Sequence, residues 1–598
     1  MKEWFSGYDR VGVASALVAG ACLLQAVTPV HADAPDLAFE VLVDRARTLS
    51  TEPYSNEAAP LPEAIAALDY DGHRDIRCLP ENFLWYGGPE PFRVQFRHRG
   101  WLFKEDVRLS TVEGDGSQVQ PLPFSAERFT YGKIASETVD PESLPGDMGY
   151  AGLALHKVEF EKFELDALEV GSDIDTDEAV ATMLEGAIEK DGQLVKETFN
   201  EFMSIQGGCY FRAIGFGQHW GSSARGIAIN TGLPEPEEFP RWAELWVKQP
   251  APGDTSLTLY GLLNGPSVTG AYRFVITPDT TTSMDITSHV FFRQSVRKLG
   301  IAPITGMFLF GEESPARFGD YRPEVHDADG LLMQHANGEL NWRPLRNPHH
   351  TRVSRFAMTN PKGFGLIQRD RDFNHYEDLE TEMQIRPSIW VEPKGEWGQG
   401  WVELLEIASD DEGIDNIGAY WVPANETELA AGDELTLSYK LEFTQEVRPA
   451  DGQAMPWVDT RAMLGDGGDE EANAKSLVRT AVSEDAAGKA VARFILDTAP
   501  QTALPSGTIV RSDVGVSNGK LAGEPVIQYN KFDHAYRLFF DVIADGTAPV
   551  ELRATLRGAT ALDRKKEQAP EGTYDDVVDP DTGPPLSETW LYRWDPQP

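Results

Sequence analysis

Over much of this chain apolar side chains return at every second position. Phe92, Val94 and Phe96 alternate with Arg93, Gln95 and Arg97 and run on to His98; Leu257 and Leu259 alternate with Thr258 and Tyr260; Tyr272, Phe274 and Ile276 repeat the pattern. A period of two sends alternate side chains to opposite faces of a pleated strand, so these runs predict half-buried β-strands. The start of the chain differs. Within 36–49, Leu37, Val41, Leu42, Ala46 and Leu49 fall at helical spacing and stop at Ser50-Thr51-Glu52-Pro53, which predicts a short helix. A helical turn at 62–68 is expected next. Thereafter Pro (40) and Gly (54) punctuate the chain at hairpin intervals, without the strand-helix alternation of nucleotide-binding folds. The expected fold class is all-β and antiparallel.

One stretch breaks the pattern. In 173–205, Ala179, Met183, Leu184, Ile188, Leu194, Phe199 and Phe202 occur among many acids, which reads as a helical insertion between strands. Asp173, Asp175 and Asp177 suggest a calcium loop. Glu178 replaces the glycine of its sharp turn, however, and Leu184 stands where the bidentate acid belongs, so that reading is rejected. A domain boundary is expected at 449–475, where the hydrophilic run Gly465-Asp466-Gly467-Gly468-Asp469-Glu470-Glu471 follows a strand at 434–443. The body would then span 33–448. Beyond the linker, 476–598 holds short strand patterns at 490–496, 507–514, 525–529, 536–542, 550–556 and 589–594, the signature of a small immunoglobulin-like sandwich. Residues 1–32 read as an export signal: 11–30 is largely apolar, and Val30-His31-Ala32 places small residues where signal peptidase requires them. The mature chain would begin at Asp33.

Composition narrows the function. The 598 residues exceed one ordinary core, and a hydrophobic fraction of 41% rules out a disordered acidic chain. A formal charge of −42 repels nucleic acid and anionic lipid, so the partner is neutral or cationic. Cys22 leaves with the signal; whether Cys78 and Cys209 pair is open. Nucleotide-binding glycine loops, nucleophile elbows and zinc-helix motifs do not occur, and twelve scattered His, with His349 and His350 adjacent, give no metal spacing. No cofactor and no metal are expected.

Carboxylates, aromatics and guanidinium groups remain. Asp410, Asp411, Glu412 and Asp415 crowd one stretch, with Arg386, Trp390 and Trp397 just upstream. Crowded carboxylates repel, and where a fold holds them in a cleft one tends to keep its proton, the requirement for an acid catalyst. A second acidic stretch, 321–330, carries Asp327 and Asp329. One acid for a leaving oxygen and one base for water are the needs of glycoside hydrolysis. The competing reading of each stretch is a solvated acidic turn.

Several blocks of the chain resemble one family. They are Lys298-Leu299-Gly300-Ile301-Ala302-Pro303, Met307-Phe308-Leu309-Phe310-Gly311, residues 321–330, Asn341-Trp342-Arg343-Pro344-Leu345, Gly363-Phe364-Gly365-Leu366-Ile367-Gln368-Arg369, residues 386–398, Asp415-Asn416-Ile417 and Ala419-Tyr420-Trp421. In that order they are similar to the periplasmic osmoregulated glucan biosynthesis proteins G and D, and the likeness runs from Phe39 to Trp590. The resemblance implies a large N-terminal galactose-mutarotase-like β-sandwich followed by a small immunoglobulin-like one. It implies action in the periplasm on β-1,2-glucan as an inverting endo-β-1,2-glucanase. Alternatives within the likeness are a transglycosylase or cyclising enzyme, and a noncatalytic glucan-binding scaffold for the membrane glucan glucosyltransferase. A homodimer is left open. Matched residue by residue, the general acid falls on Asp415 with Glu412 beside it, and the general base on Asp327 of the His326-Asp327 pair, reaching water through a chain of hydroxyls or waters. Arg386, Trp390, Tyr420, Trp421 and His326 are the expected sugar contacts. The chain departs from the family in the length of 173–205 and at Glu380-Thr381-Glu382-Met383-Gln384.

Overall fold

A computed structural model describes residues 36–56, 59–114, 116, 118–162, 187–190, 193–312, 314, 320, 322–376, 378–424, 429–447, 458–461, 483–484, 490–498, 508–530, 535–560, 587 and 589–596. The export segment, most of the expected linker and the first half of the expected insertion lie outside these residues. The fold is all-β, and its strands gather mainly into two large sheets and a smaller one.

The first sheet runs in the order Phe92–Arg97, Gly152–Lys162, Gln193–Gln206, Tyr210–Ala213, Ser223–Arg225, Leu299–Gly306, Ile417–Pro423, Gln399–Glu406, Arg352–Thr359. The second carries Leu257–Asn264, Val268–Thr277, Thr282–Phe292, Glu434–Thr444 and Ser388–Pro393 as consecutive antiparallel neighbours. Their facing side chains, among them Phe92, Phe202, Ile304, Val402 and Trp421 from the first and Trp242, Leu259, Phe274, Ile286 and Leu441 from the second, form one continuous core. This is a β-sandwich, built by the alternation seen in the sequence. The predicted helix is Leu37–Ser50, capped by Asp36 through the Phe39 N–H; it buries Phe39, Leu42 and Val43 against Trp246, Tyr260 and Phe291 on the outer face of the second sheet.

The structure departs from expectation at 173–205. Its described end is strand, not helix: Gln193–Gln206 pairs along the length of Gly152–Lys162 and forms a hairpin with Ala187–Lys190. The register shifts where Leu155 faces Met203 but His156 faces Glu201, so Phe202 is a bulged residue. A bulge lets Phe202 and Met203 both bury, which breaks the period of two and imitates helical spacing.

The C-terminal strands divide: Ala490–Thr498, Val526–Asn530 and Ala535–Ala544 pair in the smaller sheet, while Thr508–Val516, Val550–Thr560 and Thr589–Trp594 join the second. Thr589–Trp594 lies parallel to Leu340–Pro344, pairing Asn341 with Thr589 and Trp342 with Trp590, so the second sheet continues into Val550–Thr560 and Thr508–Val516. A separate core that includes Trp342, Trp390, Phe494, Phe540 and Trp590 fills the outer side of this extension. Cys78 and Cys209 are both free and buried.

Candidate active site

The site lies where strand Leu299–Gly306 ends. Ile301 pairs with Trp421 but Ile304 with Ala419, so the strand carries a bulge, and Ala302 sits at φ 47° within it. A bulge beside a strand end re-aims the side chains that follow. Here those are Thr305 and Gly306, which end the strand, and Met307 just beyond it. The next residue, Phe308, is locked by Asn416. The Asn416 Oδ1 accepts the Phe308 N–H at 2.8 Å, and its Nδ2 donates to the Phe308 and Ile407 carbonyls at 2.9 and 3.1 Å. Fully buried, Asn416 serves as a rung between chain segments and fixes its neighbour Asp415.

Asp415 takes a hydrogen bond from Thr305 Oγ1 at 2.9 Å and a longer one from Ser223 Oγ at 3.4 Å, and Arg212 approaches within 3.8 Å; its side chain remains 23% exposed. Burial pushes its carboxyl above the ordinary aspartate range, and the charge of Asp327 adds to this, outweighing Arg212, Thr305 and Ser223, which favour the ionised form. The expected crowding by Asp411 and Glu412 plays a different part. Asp411 accepts the Gly413 N–H at 2.8 Å and shapes the turn, while Glu412 is bound to Arg322 at 2.7 Å.

Asp327 is the opposite case. Its Oδ2 accepts the Met307 N–H at 2.9 Å, its own N–H donates to the Met307 carbonyl at 2.8 Å, and its Oδ1 is gripped by the Arg386 guanidinium. Only 3% of the residue is exposed. Arg386 lies flat on Gly221, where a Cβ would stand 3.0 Å from its Cβ and Cδ, and donates to the Thr381 carbonyl at 3.2 Å. Beside the pair, the Ser222 hydroxyl is buried without a partner among the described residues; a Cβ on Gly306 would lie 2.6 Å from it and 3.5 Å from Asp327 Oδ2.

Behind Asp327 stands a buried cluster. His326 stacks on Phe308 and hydrogen-bonds Glu324 at 2.9 Å and Gln368 at 3.0 Å, so it is buried behind the strand that carries Asp327. Burial lowers its basicity, but Asp329, Glu324 and Asp370 outweigh this and push its pKa up to about 9. The structure brings Glu324, Asp370 and His375 within 4.8 Å of one another, and likewise Glu324, His326 and Asp329, groupings invisible to sequence spacing. Two carboxylates and an imidazole are a donor set for a divalent cation. Here the imidazoles themselves bond those carboxylates, His375 to Asp370 and His326 to Glu324, and occupy that place.

Three expected sugar contacts are buried. Trp390 is 1% exposed because Ile389 and Val391 turn into the sandwich core and send it to the opposite face, where it packs over Gly363 and Gly365 within the C-terminal core. Trp421 is fully buried over Gly400, whose Cβ would meet its Cζ2 at 2.5 Å. Tyr420 is also buried and bonds Glu403 at 2.6 Å. Arg212, Ser222, Ser223 and Thr305 carry no motif signal in the sequence, each belonging to a run legible only as strand or turn. Met307 lies within a quoted motif block and Thr305 beside it, but neither stands out there as a carboxylate partner.

Fold and site together define an all-β protein with two aspartates in unequal surroundings at one strand end. The chain belongs to the periplasmic glucan biosynthesis protein family, MdoG, whose model matches residues 37–565. It is similar to glucans biosynthesis protein G of Pseudomonas paraeruginosa and of Pseudomonas aeruginosa, each 35% identical over 98% of this chain and 97% of the relative. The protein of the same name from Pseudomonas syringae pv. tomato is 36% identical over 88% of this chain and 74% of its own length. No helix among the described residues is long and apolar enough to cross a membrane.

Proposed function

We propose that this protein is an anomer-inverting endo-β-1,2-glucanase of the periplasm. The observation that carries this reading is the unequal pair: Asp415, buried and biased toward its protonated form, and Asp327, held by a guanidinium and a backbone N–H. Asp415 would give its proton to the glycosidic oxygen as the bond breaks. Asp327 would take a proton from the attacking water, directly or through an intervening hydroxyl such as that of Ser222. Attack opposite the leaving group inverts the anomeric carbon. Thr305 and Met307, which donate to the two carboxyls, are two positions apart in the chain. Inverting pairs stand about 6.5–9.5 Å apart, room for one water. The β-1,2 linkage comes from the family likeness, and the neutral substrate suits a chain of charge −42.

The test is incubation of the mature protein with linear β-1,2-glucan, with products analysed by mass and linkage and the first-formed anomer read by NMR. Shorter linear chains with the α-anomer appearing first are expected. Cyclised or relinked products would make the protein a transglycosylase; unchanged glucan would leave the scaffold reading.

A further inference from the structure

Arg322 is the meeting point of three chain segments. Its Nε and Nη2 bond Asp320 at 3.1 and 2.8 Å, its Nη1 bonds Asp378 at 2.8 Å, and its Nη2 also reaches Glu412 at 2.7 Å. Arg322 and Asp378 are largely buried, at 13% and 7% side-chain exposure, whereas Glu412 is 46% exposed. What these contacts join matters more than their number. Glu412 belongs to the turn that ends in Asp415. Asp378 Oδ1 accepts the N–H groups of Glu380 and Thr381, both at 2.9 Å; the Thr381 carbonyl accepts from Arg386; and Arg386 grips Asp327. A continuous chain of charge-assisted and backbone hydrogen bonds therefore runs from the turn bearing the acid to the guanidinium holding the base.

We propose that Arg322 is a positioning residue that fixes the acid turn against the base, and that Glu412 is the latch of this clamp and does not itself transfer a proton. The proposal rests on the hydrolytic reading above. A planar guanidinium suits the task, since its fork meets three carboxylates in fixed directions; lysine, a point charge, cannot. Misplacement of a catalytic group by about 1 Å costs up to about 10²-fold in rate, so loosening the clamp should act on kcat.

The experiment compares wild type, Arg322→Gln, Arg322→Lys, Glu412→Gln and the double variant Arg322→Gln/Glu412→Gln in the mature chain. Hydrolysis of linear β-1,2-glucan and amide hydrogen exchange of the segments 378–386 and 407–417 are both measured. Expected are losses of about 10-fold in kcat for Glu412→Gln and 10- to 100-fold for both Arg322 variants, KM within twofold, and a double variant no worse than Arg322→Gln, because both changes remove one contact. Exchange should quicken in both segments in the Arg322 variants. Losses that multiply in the double variant, wild-type kcat in Glu412→Gln, or unchanged exchange would each overturn the clamp. A wild type that never cleaves the glucan, with exchange still coupled between the segments, would instead refute the hydrolytic reading and with it the catalytic role of Arg322.

Discussion

Asp415 and Asp327 sit at the same strand end, yet their surroundings treat them oppositely. Around Asp415 the donors are two hydroxyls, and the nearest cation stands 3.8 Å off and half exposed. Around Asp327 they are a backbone N–H and a largely buried guanidinium. Hydroxyl donors are neutral and give little against the loss of hydration, so the Asp415 carboxyl favours its proton. The same side chain meets two environments, set by what the chain packs beside it.

The sharpest test of this contrast is exchange of charge for amide at each site. Asp415→Asn and Asp327→Asn should each cut turnover of linear β-1,2-glucan by about 10² to 10⁴ while glucan binding, followed by calorimetry, persists. Near wild-type cleavage by either variant would remove that residue from the mechanism. Next in size is the rung that holds the acid. Asn416→Ala strips partners from the Phe308 N–H and carbonyl and the Ile407 carbonyl, and should cost about 2–4 kcal/mol in denaturant unfolding.

Smaller is a pH effect from the histidines. His326, raised to about 9, contributes stability that is complete below pH 6.5 and is lost as pH rises through 9. His98 and His156, lowered to about 4 and about 3 by burial, act the other way: the unfolded chain protonates them below pH 6.5, so stability falls as pH drops. Unfolding midpoints should therefore peak near pH 6.5, and His326→Gln should flatten the alkaline side; an unchanged alkaline slope would contradict the cluster described around it. Smallest is Tyr420→Phe, which loses a bond to buried Glu403. A cost of about 1–2 kcal/mol is expected, with hydrolysis within twofold of wild type. A large loss of turnover at unchanged stability would return Tyr420 to the sugar site.

Alternation alone located the strand at Thr589–Trp594 residue for residue, and helical spacing located Leu37–Ser50 to within a position. It failed at Phe202, where one bulged residue disguised a strand. The aromatic readings failed for a different reason: Trp390 and Trp421 lie near the acids in sequence, but each is pinned over glycines in a packed layer. Asp415 and Asp327 were reached through motif likeness. Their partners Thr305, Ser223, Met307 and Arg212 come from other strands and turns, and only the folded register brings them together.

The parallel pairing of Trp342 with Trp590 also bears on the order in which the molecule is completed. Leu340–Pro344 emerges well before its neighbour Thr589–Trp594. Until that last strand arrives, one edge of the second sheet presents open backbone donors and acceptors, the kind of edge along which chains aggregate. Any chain shortened by a dozen residues would keep both aspartates and still carry this unfinished edge. Pairing with Thr589–Trp594 is thus the step that covers this edge.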